Sequence, residues 1–305
     1  MNLIGWVEAE ALVAGAPAAS GSPPKSTTRR WDPRLYQIAT LGGLLVYGIW
    51  WLDLEVQQAN VVALIATALA TQLACERLAG RARFDPRSAL ISGLSLCLLL
   101  RTGSLDVAVL AAVIAIASKF TLRVRGKHVF NPTNFALVAL MLAGRDMWVS
   151  PGQWGSGLVF AFLLASAGAL VVNRAARADV TLVFLACYAG LLVGRSLWLG
   201  EPLAIPMHRL ENGALVLFSF FMISDPRTTP DSQHGRVVFA VLVALGAYAV
   251  QFWLFQTNGL LWSLAACSLA VPLIDWLLPG ARYHWRLAPP PRLEETPRPE
   301  ERKLV

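Results

Sequence analysis

Two stretches of the chain concentrate side chains that could bind a ligand or handle charge. The first is GKHVFNPTNFAL (126–137), which supplies Lys127, His128, Asn131, Pro132 and Asn134. Proline directly after Asn131 predicts a helix start, because its missing N–H costs nothing there and its fixed φ suits the first turn. Such a start exposes backbone N–H donors and a positive dipole end, which suit phosphate or another anion. The amides of Asn131 and Asn134 add donors and acceptors for a heterocycle or a carbonyl oxygen. Lys119, Arg123 and Arg125 make the patch denser, although arginines alone are what a topology-setting loop carries.

The second stretch is FMISDPRTTPDSQHGR (221–236), with Asp225, Arg227, Thr228 and Thr229, followed by Asp231 and His234. Pro226 and Pro230 exclude helix here. Non-helical backbone next to an apolar run is tolerated at membrane depth only where it is buried in protein or lines a cavity. Two readings stay open, a plain polar connection and a turn that lines a ligand or offers oxygens to a cation. No catalytic constellation is present: HExxH, P-loop and GxSxG patterns are absent. The four cysteines (Cys75, Cys97, Cys187, Cys267) stand far apart in apolar runs. They read as buried small hydrophobes rather than disulfides or metal ligands, so no metal site is expected.

These stretches sit between long apolar runs. Of the 305 residues, 56% are hydrophobic and 15% charged, well below the roughly 25% charge of soluble domains. The runs predict an all-α integral membrane protein with spans near 35–52, 60–75, 88–100, 104–118, 130–143, 155–172, 180–198, 211–223, 237–255 and 260–278. The formal charge of +7 does not point to nucleic acid, because the basic residues lie in the connections. All 26 except Arg101, Arg145, Arg195 and Arg209 fall in alternate connections or at the termini. The positive-inside rule then puts both termini in the cytoplasm. Trp31, Trp50, Trp51, Trp148, Trp154, Trp198 and Trp285 fall at run ends, as an interfacial aromatic belt requires.

Segments 88–100 and 211–223 are short, about 20 Å as helix against a hydrocarbon core of about 30 Å. Each is the third of five runs, so the pattern suggests two inverted halves, 31–143 and 155–280, with a site between them. Thr133-Asn134 and Thr257-Asn258 open the fifth run of each half. Residues 1–30, rich in Ala, Gly, Ser and Pro, read as a flexible cytoplasmic arm without a signal peptide. Residues 281–305 read as a disordered, charged, proline-rich tail. Asp-Pro-Arg at 32–34 and 85–87 suits helix entry, with Asp as cap and Arg anchoring at headgroups.

Taken together, Asp32-Pro33-Arg34 with YQIATLGGLLVYG, GKHVFNPTNFAL and FMISDPRTTP with Gly235-Arg236 resemble the NqrB/RnfD family. These are membrane subunits of the sodium-pumping NADH:quinone reductase and of the Rnf electron-transport complex. The resemblance implies a ten-helix inverted-repeat fold similar to urea and ammonium channels, and electron transfer linked to cation movement. It also implies partner subunits, a bacterial inner-membrane location and FMN attached to a Ser-Gly-Ala-Thr threonine. Here the corresponding loop, AGRDMWVSPGQWGSG (143–157), has no threonine, only Ser150 and Ser156. Covalent FMN is therefore not expected, and noncovalent FMN or riboflavin is the remaining flavin expectation. In that reading Lys127 and His128 would face an anionic group, with Asn131 and Asn134 bonding the ligand. Asp225, Arg227, Thr228 and Thr229 would line its other side. The competing readings are a transporter or channel for a small solute or cation without redox work, and a structural anchor for an enzyme complex.

Overall fold

Runs of Ala, Leu and Val with proline confined to their first turns favour helix, and helices dominate the computed structural model. It describes residues 32–51, 56–80, 84–149 and 177–283. Contacts divide the chain after Trp31, and every described residue lies in the unit Asp32–Val305. In chain order the helices are α1 (Pro33–Trp51), α2 (Gln58–Leu78), α3 (Arg87–Leu99), α4 (Leu105–Thr121) and α5 (Pro132–Leu142). They continue with α6 (Ala178–Leu199), α7 (Ala204–Leu210), α8 (Gly213–Leu217), α9 (Gln233–Phe252), α10 (Gly259–Ser268) and α11 (Val271–Leu277). The helix α8 runs on into a π-helical turn, Phe218–Met222.

Among the described residues, α2, α6 and α9 are long and apolar enough to cross a membrane. The pair α10 and α11, bent by 49°, makes a fourth span if taken as one. Outward side chains are apolar and large, with Trp198 88% and Trp50 75% exposed, as lipid contact requires. The expected run 155–172, the arm 1–30, and residues 284–305 of the tail lie outside the described residues.

Two stripes of small residues set the packing. On α4, Ala108, Ala111, Ala112 and Ala115 are fully buried, and α4 packs on α2. On α9, Ala240, Val243, Ala244 and Ala247 repeat the same spacing and burial, and α9 packs on α6. Small side chains let helices approach closely without a solvent-driven force. The helices α9 and α10 approach closely. A Cβ on Gly246 would collide with the Ser263 hydroxyl, and that hydroxyl donates to the Val243 carbonyl at 2.7 Å. In matching fashion α4 packs on α5 and α9 on α10, and α5 meets α10.

Several elements depart from the sequence expectation. The ninth run begins earlier than 237: Ser232 caps α9, its hydroxyl accepting from Gly235 N at 3.0 Å. His234 and Arg236 therefore lie in a helical first turn, because Ser232 follows Pro230 and can close the turn that proline opens. The short, mostly exposed α7 was not foreseen. Nor were four two-residue strands, antiparallel β1 (Leu100–Arg101) with β4 (Trp148–Val149) and β2 (Arg123–Val124) with β3 (Lys127–His128). The β2–β3 hairpin turns through Arg125 and Gly126, both at positive φ (51° and 80°). Hairpin turns of this kind need that backbone region, and glycine enters it without strain.

Arg34 and Arg87 also differ from headgroup anchors. Arg34 is buried, and its guanidinium pairs with Asp32 at 2.7 Å and with Asp85 at 2.6 Å. Arg87 reaches back to Asp32 at 3.1 Å. The two Asp-Pro-Arg motifs thus clamp one another, each aspartate also accepting a backbone N–H two residues on.

Candidate functional site

The start of α5 meets the end of the π-helical turn. Asn131 caps α5, its Oδ1 accepting from Asn134 N at 3.1 Å, while its Nδ2 donates to the Met222 carbonyl at 3.4 Å. The π turn helps make this junction. Within it the Ser219 carbonyl accepts from the Thr181 hydroxyl at 2.7 Å. Single π turns inside helices recur at functional sites.

Around the junction lies a cavity of about 140 Å³. Its walls include His128, Asn131, Pro132, Asp225 and Arg227, five of the residues picked from sequence. The His128 Nε2 lies 3.4 Å from a guanidinium nitrogen of Arg227. The Asp225 Oδ1 accepts from Arg227 N at 3.0 Å. Burial pushes the Asp225 carboxyl up from its ordinary value, and the Arg227 N–H with the charges of Arg227, Lys119 and Arg177 opposes this without cancelling it.

The other four sequence-picked residues do not line this cavity. Lys127 turns away, its ammonium held by Asp231 at 3.0 Å and Asp275 at 2.7 Å. Asn134 is fully buried and donates to the Leu261 carbonyl at 3.2 Å, tying α5 to α10. Thr228 and Thr229 are buried, and their hydroxyls donate to the Asp225 carbonyl at 3.3 and 3.1 Å. They fix the Asp-Pro turn.

The opposite wall holds groups that the sequence reading missed or treated as topology. Glu76 is 3% exposed. Its Oε1 accepts from Gln72 Nε2 at 2.7 Å and its Oε2 from Asp85 N at 3.3 Å. The Gln72 Oε1 is buried with no hydrogen-bond partner among the described residues. Lys119 is 5% exposed, and its Nζ donates to the Ser88 carbonyl at 2.7 Å and the Ser88 hydroxyl at 3.1 Å. Ser88, Ser92 and Ser95 line one face of α3, at helical spacing. One signal was available: Glu76 is the sole acid in Gln58–Leu78, four residues after Gln72, which puts both on one face. Ionisable groups inside apolar helices are expensive and face functional interiors.

A family model described as the NQR2, RnfD, RnfE family matches residues 145–283. The matched stretch is under half of the chain. It carries the π turn, the Asp-Pro turn and α9 to α11, whereas the Asn-Pro start of α5 precedes it. The chain is similar to the RnfD component of the ion-translocating oxidoreductase complex of Escherichia coli O7:K1 (strain IAI39 / ExPEC), 30% identical over 161 residues, 52% of this chain and 42% of the relative. The same-named protein of Escherichia coli O1:K1 / APEC is 32% identical over 131 residues, 42% of this chain and 32% of the relative. That of Escherichia coli (strain K12) is 27% identical over 129 residues, 42% of this chain and 32% of the relative. The chain thus spans under half the length of the RnfD relatives it matches. With its apolar helices it is a predominantly helical, multi-pass membrane protein similar to this group.

Proposed function

We propose that the chain is an RnfD/NqrB-like membrane component of an electron-transport complex, and that it serves the movement of a cation linked to that transport. The observation that carries this is the cavity where the α5 start meets the Asp225 turn. There Glu76, Asp85 and Asp225 share a single space with Arg34, Lys119, Arg123 and Arg227, among hydroxyls and amides. A cation or proton crossing the low-dielectric interior needs such groups, because an isolated charge there costs several kcal/mol. In this reading Glu76 and Asp225 offer oxygens to the arriving charge, Lys119 and the neighbouring arginines balance them when the space is empty of cations, and Asn131 holds the junction. Partner subunits, a bacterial inner-membrane location and cytoplasmic termini belong to the same proposal. They are supported by the names of the relatives and by the alternation of basic connections.

The ten-helix inverted repeat is proposed on matched packing. The small-residue stripes of α4 and α9 share one spacing, and α2–α4–α5 and α6–α9–α10 pack in the same order. Short α3 corresponds to Gly213–Met222.

Noncovalent FMN or riboflavin is a separate proposal, resting on the family resemblance and on the cationic and aromatic groups Arg227, Arg123 and Phe120 at the cavity. The cavity of about 140 Å³ is smaller than the roughly 300–1,000 Å³ of sites for ligands of that size. The second functional reading, transport without redox work, draws on the same cavity between two similar halves. Purification of the tagged chain from its native membrane in mild detergent separates the two. Recovery with redox subunits, and loss of membrane electron transfer on deletion, is expected; a chain recovered alone, with electron transfer intact after deletion, defeats the proposal.

A further inference from the structure

A second cavity, about 180 Å³, lies under the β2–β3 hairpin, between it and the end of α11. It is separate in chemistry from the first. Its floor is the Lys127 ammonium with the Asp231 and Asp275 carboxylates, a clip that keeps one formal negative charge in excess: Asp275 Oδ2 and Asp231 Oδ1 both meet Lys127, while Asp275 Oδ1 accepts from Asp231 N at 2.8 Å. Its rim carries two further cations, Arg125 and Arg282. Both are exposed, and neither has a hydrogen-bond or ion-pair partner among the described residues. They are also brought together. The Arg282 Nη1 lies 4.0 Å from where a Cβ would stand on Gly126, so it rests on the very turn that holds Arg125.

The two rim guanidiniums exceed the one surplus negative charge of the floor, so the cavity keeps a net positive charge, and a phosphate oxygen pair suits their planar donors. The remaining wall is apolar, Val124, Val271 and Pro272 among it. Just beside it Leu273, Trp276 and Leu277 are 56%, 64% and 60% exposed, and Val124 is 41% exposed. A soluble phosphate has no use for that apolar wall, whereas a lipid brings acyl chains to it. Tryptophan at a span end marks the interface where headgroups lie, and basic pockets between spans take lipid head groups.

We infer that this cavity is a binding site for the phosphate headgroup of a membrane phospholipid, held by Arg125 and Arg282, with the acyl chains running along α11. The Lys127 clip shapes the floor and keeps the hairpin in place.

Native mass spectrometry of the full chain in detergent, titrated with phosphatidylglycerol, tests this. The wild-type chain should retain lipid roughly thirtyfold more tightly than an Arg125→Gln/Arg282→Gln double variant, the loss expected for two basic residues at a membrane surface. Arg77→Gln, an exposed basic residue elsewhere, should bind as wild type, and equal melting temperatures will show that all three are folded. Millimolar inorganic phosphate should leave the lipid in place. Equal retention by wild type and double variant overturns the inference. So does displacement of the lipid by inorganic phosphate, which would make this a soluble-anion site, and so does equal loss in Arg77→Gln, which would make the effect one of net charge.

Discussion

The side-chain amide of Asn131 donates to the carbonyl of Met222 across 91 positions of sequence, at 3.4 Å. One hydrogen bond thus joins the capped start of α5 to the π turn that precedes Asp225. The cavity opens beside that bond, so the two polar breaks in the apolar pattern form one site.

Asp225 gives a prediction with a definite sign. Its carboxyl is raised by burial, so the folded state is disfavoured once Asp225 ionises, above its folded pKa. Wild type therefore gains stability as pH falls through that pKa. Asp225→Asn keeps an acceptor for Arg227 N and removes the charge. It should melt at or above the wild-type temperature near neutral pH, with the gap closing on acidification, while ion movement is lost. A variant that melts well below wild type at neutral pH would show that the charge stabilises the turn.

The clamp between the Asp-Pro-Arg motifs has the opposite sign. Partial burial raises Asp32 and Asp85, but hydrogen bonds and charge from Arg34 more than offset it and hold both carboxyls below 3.8. The stabilisation is complete above that value and is lost as pH falls through the lower folded pKa values. Thermal melts in detergent between about pH 5 and pH 2 should show this decline. Arg34→Gln should flatten it and cost about 3 kcal/mol, because it strands a partly buried carboxylate.

Lys127 is predicted to be structural. Lys127→Met leaves Asp231 and Asp275 facing each other with side chains only 11% and 17% exposed. A loss of about 3 kcal/mol is expected, and Asp231→Asn/Asp275→Asn should restore most of it. Failure of that rescue in the melting temperature would return Lys127 to a ligand role.

The paired small-residue stripes predict equivalent damage in the two halves. Ala112→Leu and Ala244→Leu each overpack a fully buried helix contact, at a cost of about 1–3 kcal/mol. Similar falls in melting temperature support the repeat. A large fall for one and none for the other contradicts it.

The sequence made the junction legible because proline and asparagine leave local marks: Pro132 after Asn131, and Pro226 after Asp225, break the apolar pattern whatever surrounds them. Partners distant in sequence leave none. Lys127 looked like a ligand residue because Asp231 and Asp275, which neutralise it, lie 104 and 148 positions away. Thr228 and Thr229 looked like site oxygens, but their hydroxyls are consumed by the Asp225 carbonyl. Glu76 was passed over because one acid near a helix end reads as interfacial charge. Gln72 shares its helix face, and only the fold brings Ser88 and Lys119 to the same cavity. The short Gly213–Met222 segment was legible as a break, whereas its π turn left no local mark, and the Thr181 hydroxyl that meets its Ser219 carbonyl lies 38 positions away.

Glu76 offers the most direct test, since Glu76→Gln removes one charge and keeps the shape and the Gln72 contact. In inverted membrane vesicles containing the assembled complex, cation uptake driven by electron transfer should fall about tenfold or more in the variant, the order expected when a buried charge in a polar cluster is deleted. Complex assembly and melting temperature should stay at wild-type values. Uptake equal to wild type in a fully assembled Glu76→Gln complex would contradict the assignment of this cavity to cation movement.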